Sequence, residues 1–177
     1  MVTVYVWLPG GSSSSSSKSL GHAAMQIAGM MPAGSPEAVG ILEFEGNKDL
    51  GQPVYDETYV SWWPDPNRNW WLASGGKTNT YADDISDEGG MPGFRLEIED
   101  RLEELAMRRY WWRFRHGANK RLWSVFQNCA TLVGHTLRAG GGPFFLGDNV
   151  VWTPAQVKDY AIMIAFAGRV VGTPPTF

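Results

Sequence analysis

The sequence predicts one α+β domain, with strands in its first hundred residues and helices after them. Three observations lead there. Segments with a two-residue alternation of side-chain type recur at 2–8, 22–27, 58–63 and 94–99, the period of strands. Apolar positions three and four apart recur at 100–116, 128–139 and 154–164, the period of helices. No internal repeat or interdomain linker divides the 177 residues, a length that suits one domain.

Taken in order, Val2 to Leu8 alternates β-branched and aromatic residues until Pro9-Gly10-Gly11 stops it. The six serines of 12–17 read as a surface loop. In the strand at 22–27, Ala23, Met25 and Ile27 share one face, and His22, Ala24 and Gln26 the other. A further strand is expected at 39–45, and a stronger one at 58–63, ended by Pro64-Asp65-Pro66. Positions 64–93 read as a loop-rich insertion, with Asp83, Asp84, Asp87 and Glu88 as a solvated acidic run. After the strand at 94–99, Asp100 is expected to cap a helix reaching His116, with Glu103 and Glu104 in its first turn and Arg113 and Arg115 in its last. The next helix starts near Asn128 and ends at Gly140-Gly141-Gly142. In the last, Thr153 caps, Pro154 takes the first turn and Gln156 completes a capping box.

Composition excludes several classes. With 44% hydrophobic and 19% charged residues, the chain is neither disordered nor fibrous. A net charge of −3 speaks against a dedicated nucleic-acid binder. The basic and aromatic residues interleaved from Arg108 to Arg121 read better as an amphipathic helix with a solvated cationic face, a surface that also suits an acidic inhibitor protein. No apolar run is long enough for a membrane span. The N-terminus reads as a strand, without the basic start and apolar core of a Sec signal peptide. No metal or cofactor motif is present, and none is called for.

Cys129 is the strongest chemical clue. At a helix start, exposed N–H groups and the helix dipole favour a thiolate and offer donors to an oxyanion. The plainer reading is a buried cysteine packing as a small hydrophobe, which its place on the apolar stripe fits equally well. A nucleophile needs a base, and only His22, His116 and His135 exist. His135, six residues on, points to another side of the same helix, and His116 suits a helix C-terminus. His22 is left.

These residues carry a resemblance. Gly21-His22-Ala23-Ala24-Met25-Gln26-Ile27, Tyr59-Val60-Ser61-Trp62-Trp63-Pro64, Asn128-Cys129-Ala130-Thr131-Leu132-Val133, Leu137-Arg138-Ala139-Gly140-Gly141 and Trp152-Thr153-Pro154 follow in that order. This resembles the circularly permuted papain-like cysteine hydrolases of the NlpC-type superfamily, and among them bacterial toxin effectors of type VI secretion. The resemblance implies a permuted papain-like core, an antiparallel β-sheet packed against a helix whose N-terminus carries the cysteine, with Cys129 as nucleophile and His22 as general base. It implies a third residue that orients the imidazole. Ser61 lies in the matching strand, with Gln26, Glu43, Glu57 and Asp65 as alternatives. Gln127 or Asn128 would assist the helix N–H groups as oxyanion donors.

The expected activity is hydrolysis of an amide bond, with the peptidoglycan stem peptide as leading substrate. The chain would then be a secreted antibacterial endopeptidase or amidase, paired with an immunity protein and acting in the target periplasm or a target cell. Two rivals remain within the fold, a protease directed at host proteins and an acyltransferase like the lecithin:retinol acyltransferase relatives. A third is a non-catalytic module binding glycan or protein. Trp62 and Trp63 are read either as core or as one wall of a substrate groove.

Overall fold

Strand β1 (Val2–Trp7) is paired on both sides. Its antiparallel neighbours are β2 (His22–Ile27), with Val4 opposite Met25 and Trp7 opposite His22, and β6 (Phe94–Ile98), with Val4 opposite Leu96. Strand β3 (Tyr59–Val60) adds to the other edge of β2, giving the order β3-β2-β1-β6. These relationships come from a computed structural model that describes residues 1–9, 21–27, 58–64, 74–116, 122–124, 126–143 and 151–167. The strand expected at 39–45 and the pair Trp70-Trp71 lie outside the described residues.

The period of two gives this sheet two different faces. Val2, Val4, Val6, Ala23, Met25, Ile27 and Val60 are buried in one core. That core is shared with α2 (Glu104–His116), α3 (Cys129–Ala139) and α4 (Pro154–Ala167). Helix α3 lies on β2, and α4 on β1 and β6. The opposite face carries Tyr5, Trp7, His22 and Tyr59, and it packs against α1 (Tyr81–Glu88), where Tyr5 and Tyr81 approach to 4.6 Å between ring centroids.

Helix α1 corrects the expected loop. Thr80 and Asp83 close a capping box, and Gly89 ends the helix with a left-handed φ of 73°. Its inward positions are Tyr81, Asp84, Ile85 and Glu88, spaced as one helical face. Two of the four are acidic, and both are buried. A stripe search that counts apolar residues therefore passes over this helix.

The strand expected at 58–63 divides. Tyr59 and Val60 pair with β2, whereas β4 (Trp63–Pro64) pairs with β5 (Ser74–Lys77), and β5 pairs in turn with β7 (Leu122–Trp123). Ser61 and Trp62 make the crossing between the two sheets. Asp100 does not cap α2; its φ of 48° places it in a left-handed turn, which Asp tolerates, and the helix begins at Glu104. On that helix Arg113 and Arg115 are exposed, but Arg108 is buried near Glu104, so the cationic face is less solvated than its spacing suggested. Thr153 and Gln156 form the expected capping box at α4. The result is an α+β fold with an antiparallel sheet and four helices among the described residues.

Candidate functional site around Cys129 and His22

Cys129 is the first residue of α3, and its surroundings fix that helix start. Asn128 stands outside the helix with extended backbone, and its Oδ1 accepts the Thr131 N–H at 2.8 Å. Its Nδ2 donates to the Trp152 carbonyl at 3.2 Å, and the Trp152 N–H donates to Thr131 Oγ1 at 3.3 Å. Gly134 lets the buried Trp152 ring lie directly on the helix, since an added Cβ would come within 2.7 Å of that ring. The first turn is thus braced by its cap and by the segment before α4. Both ends of the Asn128 side chain take part in this bracing, Oδ1 as acceptor and Nδ2 as donor. The Gln127 N–H is engaged as well, by the Ser124 carbonyl and hydroxyl, both at 3.1 Å. The N–H groups of Cys129 and Ala130 precede any intrahelical acceptor, as in every helix start.

His22 opens β2 and is 2% exposed. Trp7, opposite it in the ladder, lies 5.5 Å away by ring centroids. Trp63 covers it from β4 at 4.5 Å with planes 31° apart. The electrostatic influence of Cys129 reaches the imidazole and favours its charged form. His135 is directed instead toward the Tyr110 hydroxyl at 3.4 Å, and His116 ends α2.

The residue that completes the group is Asp84, from the inward face of α1 and fully buried. His22 Nε2 is 3.1 Å from Asp84 Oδ2 and 3.2 Å from Ser61 Oγ. The Ser61 hydroxyl donates to Asp84 Oδ1 at 3.0 Å. Tyr59 donates to Oδ2 at 2.7 Å and Trp63 Nε1 to Oδ1 at 2.6 Å. Each carboxylate oxygen therefore has two donors. This pattern also locates a proton. An ionised carboxylate only accepts, and the one hydroxyl proton of Ser61 is given to Asp84, so Nε2 must carry the N–H. Nδ1 is the ring nitrogen that takes no part in these contacts.

The charges reinforce one another. Burial works against a charge on His22, but attraction to Cys129 and the hydrogen bonds to Asp84 and Cys129 outweigh it, and the imidazole is pushed up to about 10. Burial opposes the charge on Asp84 too. His22, Tyr59 and Ser61 nevertheless hold it below the usual carboxylate range. Desolvation and the Asp84 charge push Tyr59 up, which keeps it a phenol that donates.

The structure brings His22, Ser61, Trp63 and Cys129 together and separates Trp62 from them. Trp62 is 8% exposed and packs edge-on against Phe114 at 4.9 Å. Residues 62 and 63 point to opposite sides of the chain, and Trp62 packs in the core. Among the alternatives to Ser61, Gln26 donates to the Ile27 carbonyl, while Glu43, Glu57 and Asp65 lie outside the described residues. Asp84 was missed as a site residue because it sat in an acidic run. The signal available was the Thr80–Asp83 capping spacing, which announces a helix and makes 81, 84, 85 and 88 one face. Among the described residues no group of His, Cys, Asp and Glu could hold a metal, and no helix is long and apolar enough to cross a membrane. Compared with protein-family models, curated proteins and solved structures, the chain matches none.

Proposed function

We propose that this chain is a cysteine hydrolase acting on an amide bond, with Cys129 as nucleophile, His22 as general base and acid, and Asp84 as the group that orients His22. The observation that carries this reading is the buried contact of His22 Nε2 with Asp84 Oδ2 at 3.1 Å, on an imidazole whose charge Cys129 favours. A buried thiol that only packs has no need of a base held in one tautomer by a carboxylate.

In the proposed reaction Nδ1 of the raised imidazole already holds the proton that the sulfur has given up, and the sulfur attacks the carbonyl carbon. The carbonyl π electrons move to oxygen, stabilised by the N–H groups that open α3. Collapse breaks the C–N bond, and the departing amine takes the proton from Nδ1. Water then attacks the thioester, gives a proton to His22, and displaces the Cys129 sulfur, which recovers that proton. Asp84 keeps its charge throughout, since all its contacts are donors.

The sequence resemblance supports a permuted papain-like arrangement and the peptidoglycan stem peptide as substrate. On that reading the chain is an antibacterial endopeptidase or amidase, acting in the target periplasm or a target cell and held in check by an immunity protein. Digestion of purified muropeptides, followed by mass analysis, tests it. New termini within the stem peptide, absent with Cys129→Ala and with His22→Ala, are expected. Intact muropeptides with the wild-type chain would remove peptidoglycan, and acyl transfer to an added amine or alcohol would replace hydrolysis by the rival chemistry.

A further inference from the structure

We propose that Trp63 is a positioning residue of this site, its indole N–H fixing Asp84 while its ring face holds the imidazole of His22. The proposal rests on the hydrolase reading for its meaning, though its geometry stands apart from any activity. Trp63 makes two separate contacts with two different members of the cluster. Its Nε1 is 2.6 Å from Asp84 Oδ1, and its ring centroid is 4.5 Å from that of His22. The two members are joined to each other through Nε2 and Oδ2. One rigid side chain therefore spans the base and its orienter, and a rotation of either ring would break a contact with the indole.

The backbone explains why Trp63 can do this. Ser61 and Trp63 are two apart and point the same way, so both reach Oδ1 of the same carboxylate. Trp62, between them, is buried on the other side against Phe114, and an added Cβ on Gly76 would strike its ring at 2.0 Å. Packing of Trp62 therefore fixes the orientation of its neighbour. Trp7 touches the imidazole too, but its Nε1 donates to the Gly90 carbonyl at 2.8 Å, so it fixes a loop and not the carboxylate.

A flat indole against the imidazole also favours the imidazolium, since the ring face is electron-rich. The polar groups that face His22 are Cys129, Asp84 and Ser61, and none of them is altered by substituting Trp63. The two contacts can be separated by substitution. Trp63→Phe keeps an aromatic face and removes the N–H; Trp63→Leu removes both.

The test is an NMR titration of the His22 ring in the full chain, with wild type, Trp63→Phe and Trp63→Leu compared. Native near-UV circular dichroism is checked first. Trp63→Leu is expected to lower the His22 pKa by about half a unit to one unit, the size of an aromatic–cation contact. Trp63→Phe should restore most of that shift. In both variants the ring nitrogens should report a looser Nε2 contact, because Asp84 has lost one donor. An unchanged titration in Trp63→Leu, or an equal fall in both variants, would overturn the proposal. Failure of the chain to hydrolyse any muropeptide would leave these titrations as they are, so the two ideas fail separately.

Discussion

Asp84 stands 62 residues beyond His22 in the chain, yet its Oδ2 lies 3.1 Å from Nε2 of that imidazole. The contact joins the start of β2 to a short helix on the same face of the sheet. It is surrounded by Tyr59, Ser61 and Trp63, each of which donates to the carboxylate.

Asp84→Asn should lower kcat by roughly tenfold to a hundredfold, because a hydrogen bond to a charged group is worth about 1.5–3 kcal/mol. It should also destabilise the fold, since the amide NH2 would face donors that now meet oxygen. Denaturant unfolding measures the second effect. A variant as stable and as active as wild type would deny Asp84 both roles.

Ser61→Ala should cost less. Its hydroxyl is one of four donors to the charged Asp84, and its loss should cost about 1.5 kcal/mol, roughly tenfold in rate. Asp84 keeps His22, Tyr59 and Trp63 as partners, so stability should change little. Steady-state kinetics of the single variant decides it, and a loss as large as that of Asp84→Asn would make Ser61 an equal partner.

The alkaline stability limb follows from the sign of the His22 shift. Its folded pKa is raised from 6.5 to about 10. The associated stabilisation is complete below pH 6.5 and is lost as pH rises toward 10. Asp84 is lowered from 3.8, so its contribution is present above 3.8 and fades as pH falls through its folded value. Urea midpoints measured across pH should drop on the alkaline side, and Cys129→Ala should flatten that drop, because Cys129 is the strongest influence raising His22. An alkaline limb unaltered in Cys129→Ala would contradict the pairing.

Trp62→Ala should cost about 3–5 kcal/mol of stability, as a large aromatic removed from a packed core does. Unfolding midpoints would reveal it. If the variant kept its stability and raised KM alone, Trp62 would be a groove residue after all.

Much of this was legible because local rules and tertiary structure agree. The strands at 2–8, 22–27 and 94–99 alternate, and the capping signals at Asn128 and at Thr153 with Gln156 stand where α3 and α4 begin. Cys129 and His22 followed from scarcity, there being one Cys and three His to choose among. Asp84 was hidden because it breaks the rule that inward positions are apolar. Its burial is tolerated only by donors from three neighbouring residues and His22, a long-range match that no local pattern contains. Trp62 and Trp63 could not be told apart until the crossing between the two sheets fixed which way each pointed.

Reaction of Cys129 with iodoacetamide in the folded chain at neutral pH, compared between wild type and His22→Ala, tests whether the base acts on the thiol. Cys129 is 8% exposed, so the rate also reports how readily the reagent reaches a buried sulfur. The wild-type thiol should be alkylated in the native state, and His22→Ala should slow that reaction at least about tenfold, since it removes the base that takes up the thiol proton. Equal rates in the two proteins, or alkylation of Cys129 only on unfolding, would show a thiol that merely fills the core.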